Sequence, residues 1–292
     1  MPLETLLAAA YQMKGRTRDA KGVLQFGMFA PAIASLLTRV ITKEGYRNML
    51  LRPHFKGHIR HDVLIWFVPT VLLILSLVVY FLLFPGQFDP ELTAMKNVLA
   101  NAAAPGLTTE MMLLVSVLQV MIIGPVVNII PTMGEELGWR GYLLPKLRTL
   151  MSDRKALVLS GIVWGLWHVP IIVMGHNYGT EYWGYPWLGI LGMVFFCVVL
   201  GIIEGYATIR LNSAIPAAMI HSTVNAGAAL PIYLAIEGFT PLLGPPMVGI
   251  LEPMGTRCRH LPERSISKRP LRPVISPAKL LHASHVADIK GG

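Results

Sequence analysis

The sequence predicts an all-α fold, a polytopic bundle of about six to seven transmembrane helices. Three observations carry this. Of 292 residues, 53% are hydrophobic and only 14% charged, where soluble domains carry roughly 25% charged residues. Mean hydropathy is +0.55. The apolar residues are gathered into long uncharged runs, and about 20 such residues cross the hydrocarbon core as a helix. The same numbers exclude a disordered chain, which needs low hydrophobicity and high charge. Cys197 and Cys258 are the two cysteines; with no CxxC or Cys/His cluster, neither a disulfide framework nor structural zinc is indicated.

The N-terminal segment 1–21 is basic through Lys14, Arg16, Arg18 and Lys21. No cleavable signal peptide is evident in it, because Leu6–Ala10 is a very short apolar core and the basic cluster follows it. The helical body is 22–251. Gly22–Thr38 is a weak span, broken by Pro31 and ended by Arg39, and Val63–Phe84 is the cleanest, without a charged residue. Met111–Gly134, Ala156–Met174, Trp187–Ile203 and Ser213–Ile236 follow. Thr240–Leu251 is too short to cross and makes a re-entrant or incomplete seventh.

Orientation follows from Lys and Arg in the short loops. Lys43, Arg47, Arg52, Lys56 and Arg60 put the 42–62 loop in the cytoplasm, and Lys146, Arg148, Arg154, Lys155 and Arg210 return there. The 85–110 and 175–186 loops face outward. Alternation fails only at the N-terminus, which points either to a missing upstream helix or to a Gly22–Thr38 segment that does not cross simply. Residues 252–292 hold eight Lys/Arg against three acids and no apolar run, which reads as a disordered basic tail lying on anionic lipid. Much of the net charge of +9 therefore belongs to an appendage. The partner it suggests is the lipid bilayer, not nucleic acid, in a multi-pass protein of the cell (inner) membrane.

Charged groups inside a membrane are costly and mark function. Of nine histidines only His168 and His221 lie within apolar spans, while Glu135 and Glu136 extend the end of one span and Glu204 closes another. In Gly134-Glu-Glu-Leu-Gly-Trp-Arg140, Glu136 and Arg140 are i,i+4 neighbours that pair. Glu135 is turned about 100° away and is free to take a proton. His168 follows in Trp164-Gly-Leu-Trp-His. His221 and Asn225, four apart, share one helix face. Singly, each also suits a salt-bridged helix end or a polar helix–helix contact. Together they make an acid–base and hydrogen-bonding set.

These segments resemble the signature of the CPBP family, the CAAX proteases and bacteriocin-processing enzymes that include the type II CAAX prenyl endopeptidases. The family pattern runs EExxxR, FxxxH, HxxxN on successive membrane helices. The chain supplies Glu135-Glu136…Arg140, Trp164…His168 and His221…Asn225, with Trp164 where the family usually has Phe. Family members usually continue through a final membrane helix; here the apolar sequence stops near Leu251 and the tail begins, as a truncated or frame-shifted end would. The resemblance implies an endopeptidase whose active site lies in the cytoplasmic half of the membrane. By the family's pattern Glu135 is the general base, His168 holds and polarises the water, and His221 and Asn225 stabilise the oxyanion. Glu136 and Arg140 position these groups.

No cofactor is favoured. Zinc is the alternative, with Glu135, His168 and His221 as ligands, but zinc would leave Asn225 without a purpose. HExxH, GxSxG and GxGD motifs are absent from the sequence, which sets aside other intramembrane protease chemistries. The substrate is a peptide or protein, prenylated or not, and oligomeric state is not encoded legibly. The competing readings are a proton-coupled transporter and a catalytically inactive scaffold or immunity protein of the same fold. Obvious inverted repeats, which would favour transport, are not seen.

Overall fold

A chain that leaves water must satisfy its own backbone amides, and a helix does so within one segment. The computed structural model describes residues 27–52, 59–102, 106–228 and 230–236, with the single positions 242 and 244. Among these the chain is helical, and its sole β pairing is an isolated bridge between Phe88 and Ala235. The helices are α1 (Ala30–Thr42), α2 (Ile59–Leu83), α3 (Thr93–Ala102), α4 (Thr109–Leu118), α5 (Gly124–Val127), α6 (Ile129–Gly138), α7 (Leu144–Leu150), α8 (Asp153–Trp167), α9 (Val169–Val173), α10 (Trp187–Leu211) and α11 (Ile215–Gly227). The expected segments 1–21 and 252–292 lie outside the described residues.

Four stretches are long and apolar enough to cross a membrane: Val63–Leu83, Thr109–Val127, Asp153–Val173 and Trp187–Leu211. They answer to four of the expected spans. Of the other two, Gly22–Thr38 lies partly outside the described residues, and the helix in Ser213–Ile236 is shorter than the sequence suggested. Both α1 and α11 have 13 residues, about 20 Å of rise against about 30 Å of hydrocarbon. The run Ser213–Ile236 stops being α-helical at Gly227 and passes into a 3-10 turn, Leu230–Leu234, where Pro231 has no N–H to extend a helix. The run Met111–Gly134 is also interrupted. It contains a π turn, Gln119–Ile123, and breaks at Asn128 between α5 and α6. Most of Thr240–Leu251 lies outside the described residues.

The interior is built on close backbone approach. A Cβ on Gly161 of α8 would lie 2.6 Å from the Val198 Cα of α10 and 2.9 Å from the Cys197 carbonyl oxygen, so only glycine fits. On the other side of this seam a Cβ on Gly201 would lie 3.4 Å from the Gly161 Cα. Lipid tails are as apolar as leucine, so helices in a membrane associate by such packing instead of by hydrophobic exclusion. The short α11 touches α2, α5, α6 and α10. Helices and not lipid therefore surround it, which is how a 13-residue helix can carry a buried histidine.

The two ends of the bundle are fastened differently. At one, Lys146 pairs with Glu44 at 2.6 Å, and Arg39 donates to the Gly45, Asn48 and Gly141 carbonyls while stacking 5.0 Å over Tyr142. The Leu50 carbonyl accepts from Ala214 N–H at 2.8 Å. The loops expected together on the cytoplasmic side thus meet at one end. At the other, Asp89 N–H bonds to the Leu234 carbonyl at 2.9 Å. The Asp89 carboxylate accepts from the Thr93 and Glu91 amides, and these bonds, Thr93's foremost, hold its pKa below the usual carboxylate range.

Candidate active site

The motif of α6 ends in a second π turn, Trp139–Leu143, in which Leu144 N–H bonds to the Trp139 carbonyl. Single π turns inside helices gather at functional sites. This one comes directly after Glu135 and Glu136 and carries Arg140. Its helix is held against α1 because a Cβ on Gly138 would lie 2.7 Å from the Pro31 carbonyl carbon.

The two adjacent acids, both buried, have different neighbours. Glu135 Oε2 accepts from the indole N–H of Trp164 at 2.9 Å and of Trp139 at 3.3 Å. Its Oε1 takes no hydrogen bond among the described residues and is not among the fully enclosed unpartnered atoms. Glu136 is an ionic partner: its Oε1 accepts from Arg140 at 2.8 Å and from His221 Nδ1 at 2.9 Å. The i,i+4 pairing of Glu136 with Arg140 is therefore as the sequence indicated, and Glu135 takes no part in it.

Trp164 joins the two halves. Its N–H holds Glu135, the Arg140 guanidinium lies 4.4 Å from its ring centroid, and the His221 and His168 rings meet its edges at 5.2 and 6.0 Å. His168 bonds through Nδ1 to the Trp164 carbonyl at 2.9 Å. A carbonyl only accepts, so Nδ1 carries the proton and Nε2 presents a lone pair. Cys197 Sγ lies 4.0 Å from the same Nδ1. Asn225 is the outlier: it is exposed, one turn beyond His221, and its side chain makes no hydrogen bond among the described residues. The structure thus joins Glu135, Glu136, Arg140, His168 and His221 through Trp164 and leaves Asn225 at the margin of the cluster.

One residue was missed. Glu204 of α10 is fully buried, with Oε2 2.6 Å from the second terminal nitrogen of Arg140. It was read as closing a span, but α10 runs on to Leu211. The signal that could have found it is the pair Gly201 and Gly205, three residues before Glu204 and one after it, which marks a packed stretch of the helix.

Among the described residues, Glu136, Glu204 and His221 are the one set of three whose donor atoms lie within 4.8 Å of one another. This is not the zinc set Glu135, His168 and His221. Nor does it fit a resident cation, because the Arg140 guanidinium already sits 2.8 and 2.6 Å from its two carboxylates and would repel a metal ion there.

Residues 110–227 match the family model described as type II CAAX prenyl endopeptidase Rce1-like. The CAAX prenyl protease 2 of Methanococcus maripaludis is 36% identical over 111 residues, 37% of this chain and 40% of the relative. The chain thus matches less than half the length of that relative. No solved structure matches. The matched segment contains the π turn, the paired acids, both histidines, Trp164, Glu204 and Asn225. Residues 110–227, and with them the whole cluster, are thus similar to the Rce1-like type II CAAX prenyl endopeptidases.

Proposed function

We propose that the protein is an integral-membrane endopeptidase of the inner membrane, cleaving a peptide or protein substrate in the cytoplasmic half of the bilayer without a resident metal. The observation that carries this is the state of Glu135. Two indole N–H groups hold one carboxylate oxygen, while the other is left for water. Depth supports the cytoplasmic placement: Arg140 adjoins Gly141, whose carbonyl is bonded by Arg39 at the basic end of the bundle.

In this mechanism Glu135 Oε1 takes a proton from water as the oxygen attacks the scissile carbonyl carbon. His168, oriented by its bond to the Trp164 carbonyl, holds the water by accepting a hydrogen bond from its other O–H at Nε2. The oxyanion receives hydrogen bonds from the Asn225 amide and from His221 Nε2. Donation by Nε2 requires the imidazolium, whose charge the Glu136 carboxylate at Nδ1 offsets. Glu135 then passes its proton to the leaving nitrogen as the C–N bond breaks.

A prenylated substrate, the class that the relative's name records, is supported by an apolar cleft of about 610 Å³ between α2, α10 and α11. Leu72, Phe196, Ile203 and Val224 line it and Arg210 stands among them. The test is cleavage of prenylated and unprenylated peptides by the purified protein in detergent. Glu135→Gln is expected to lose about 10²–10⁴-fold in kcat, the usual worth of a general base. Histidine-to-alanine changes at 168 and 221 should also lower kcat. Undiminished cleavage in all three overturns the reading, and proton-dependent uptake into proteoliposomes without proteolysis favours a transporter.

A further inference from the structure

Arg140 is only 1% exposed, and a buried guanidinium facing a carboxylate ordinarily takes both oxygens in a fork. Here it does not. Its first terminal nitrogen meets Glu136 Oε1 alone, the same oxygen that holds His221 Nδ1, while Glu136 Oε2 is buried with no partner among the described residues. What occupies the other side of Arg140 is Glu204, ion-paired at 2.6 Å from an adjacent helix.

We propose that Glu204 is a positioning residue of the hydrolytic site: by holding one side of Arg140, it keeps Glu136 Oε1 on the Nδ1–H of His221. Four observations support it. Glu204 is fully buried, its carboxylate oxygens take no hydrogen bond among the described residues, and the one ion pair it makes there is with Arg140 at 2.6 Å. The backbone delivers it, since Gly201 brings α10 so near that a Cβ would lie 3.0 Å from the same Arg140 nitrogen. The Trp164 ring lies against the guanidinium, so Arg140 is confined between the two acids. Charge also closes: two carboxylates against one guanidinium leave one negative charge, which a His221 imidazolium matches. Glu135, the remaining acid of the cluster, bonds to the two indoles and not to Arg140. Without the Glu204 charge, Arg140 turns fully onto Glu136, engages the vacant Oε2 and draws the carboxylate from His221. Glu204 stands outside all three motif segments.

The effect on rate rests on the endopeptidase reading, but the effect on His221 does not, and the experiment separates them. The full chain is prepared in detergent with ¹⁵N-labelled histidine, and the His221 Nδ1–H signal is identified by its loss in His221→Gln. Glu204→Gln, nearly isosteric, is expected to shift or broaden that signal. It should lower kcat by roughly 10- to 100-fold, the range seen when groups that orient functional ligands are removed, with KM unchanged. Glu204→Asp keeps the charge but withdraws it by one methylene, and should shift that signal and lower kcat less than Glu204→Gln does. A Glu204→Gln protein with wild-type kcat and an unmoved His221 signal overturns the proposal. If that variant does not fold, the signal is read in Glu204→Asp, whose carboxylate is withdrawn by one methylene: a shift supports the proposal and an unmoved resonance overturns it. A wild-type protein that cleaves no peptide overturns the endopeptidase reading and leaves the His221 measurement to decide the role of Glu204.

Discussion

Helices α2 and α10 are each 25 residues long, and their apolar stretches have mean hydropathies of 2.6 and 2.4. By composition they are near twins. Yet 28% of the α2 stretch is buried within the protein against 50% of the α10 stretch. α2 carries Val71, Leu75 and Leu82 outward, whereas α10 buries Gly189, Gly192, Gly201, Gly205 and Glu204. Hydropathy reports that a helix crosses; small residues report what it crosses beside. Where lipid surrounds a helix, bulk is harmless. Where a second backbone must come near, bulk is excluded and a buried charge can be answered by another.

The comparison breaks most severely at the α8–α10 seam. Gly161→Val puts side-chain atoms where the Val198 Cα and Cys197 carbonyl already stand, and no choice of rotamer moves a Cβ. Overpacking costs about 1–3 kcal/mol where side chains can yield; here backbone must yield, so the loss should reach or pass the top of that range. Gly201 lies across the same seam beside Arg140, so the Arg140–Glu204 pair should be lost as well. Thermal unfolding in detergent measures the first effect and peptide cleavage the second. Wild-type stability in Gly161→Val would mean that α10 is no more closely packed than α2.

A smaller effect is expected where chemistry, not packing, is removed. Trp164→Phe keeps a ring beneath Arg140 and beside both histidines but deletes the N–H bonded to Glu135 Oε2 at 2.9 Å. Trp139 N–H, at 3.3 Å, remains as the weaker donor. One hydrogen bond to a charged group is worth about 1.5–3 kcal/mol, and one remaining donor offsets part of that, so kcat should fall about 10-fold with the melting temperature little changed. Phe is what the resembling family usually carries here. An undiminished rate would show that Trp139 alone orients Glu135.

The long helices and the Glu136–Arg140 pair were legible in the sequence because both rest on local rules, hydropathy over about 20 residues and i,i+4 spacing. Helix ends were less so: an apolar window takes no account of Gly227, Pro231 or the break at Asn128, so α11 was read as a full span. Glu204 was hidden by the same device, since a charge at the edge of an apolar run ends the window while the helix continues. Trp164 was legible as an aromatic residue but not as a donor, because its partner, Glu135, lies 29 positions away in the chain. Which carboxylate meets which indole is a tertiary fact.

The smallest expected effect tests the lipid-facing half of the comparison. Leu75 on α2 is 55% exposed, while Leu73, two residues earlier, is 2% exposed and packs with Leu77, Val120 and Leu230. In water both truncations would be judged by apolar area. In a membrane the outer face of Leu75 meets acyl chains, which fill the space left by Leu75→Ala, so neither a cavity nor a transfer penalty arises. The change should stay within about 0.5 kcal/mol, the usual bound for surface positions. Leu73→Ala instead leaves a hole bounded by protein, where the loss grows with the cavity that remains. Comparing the two melting temperatures in lipid nanodiscs isolates the environment, since the side chain and its helix are the same. Equal losses would mean that the outer face of α2 packs against protein and not lipid, and its likeness to α10 would then extend beyond hydropathy.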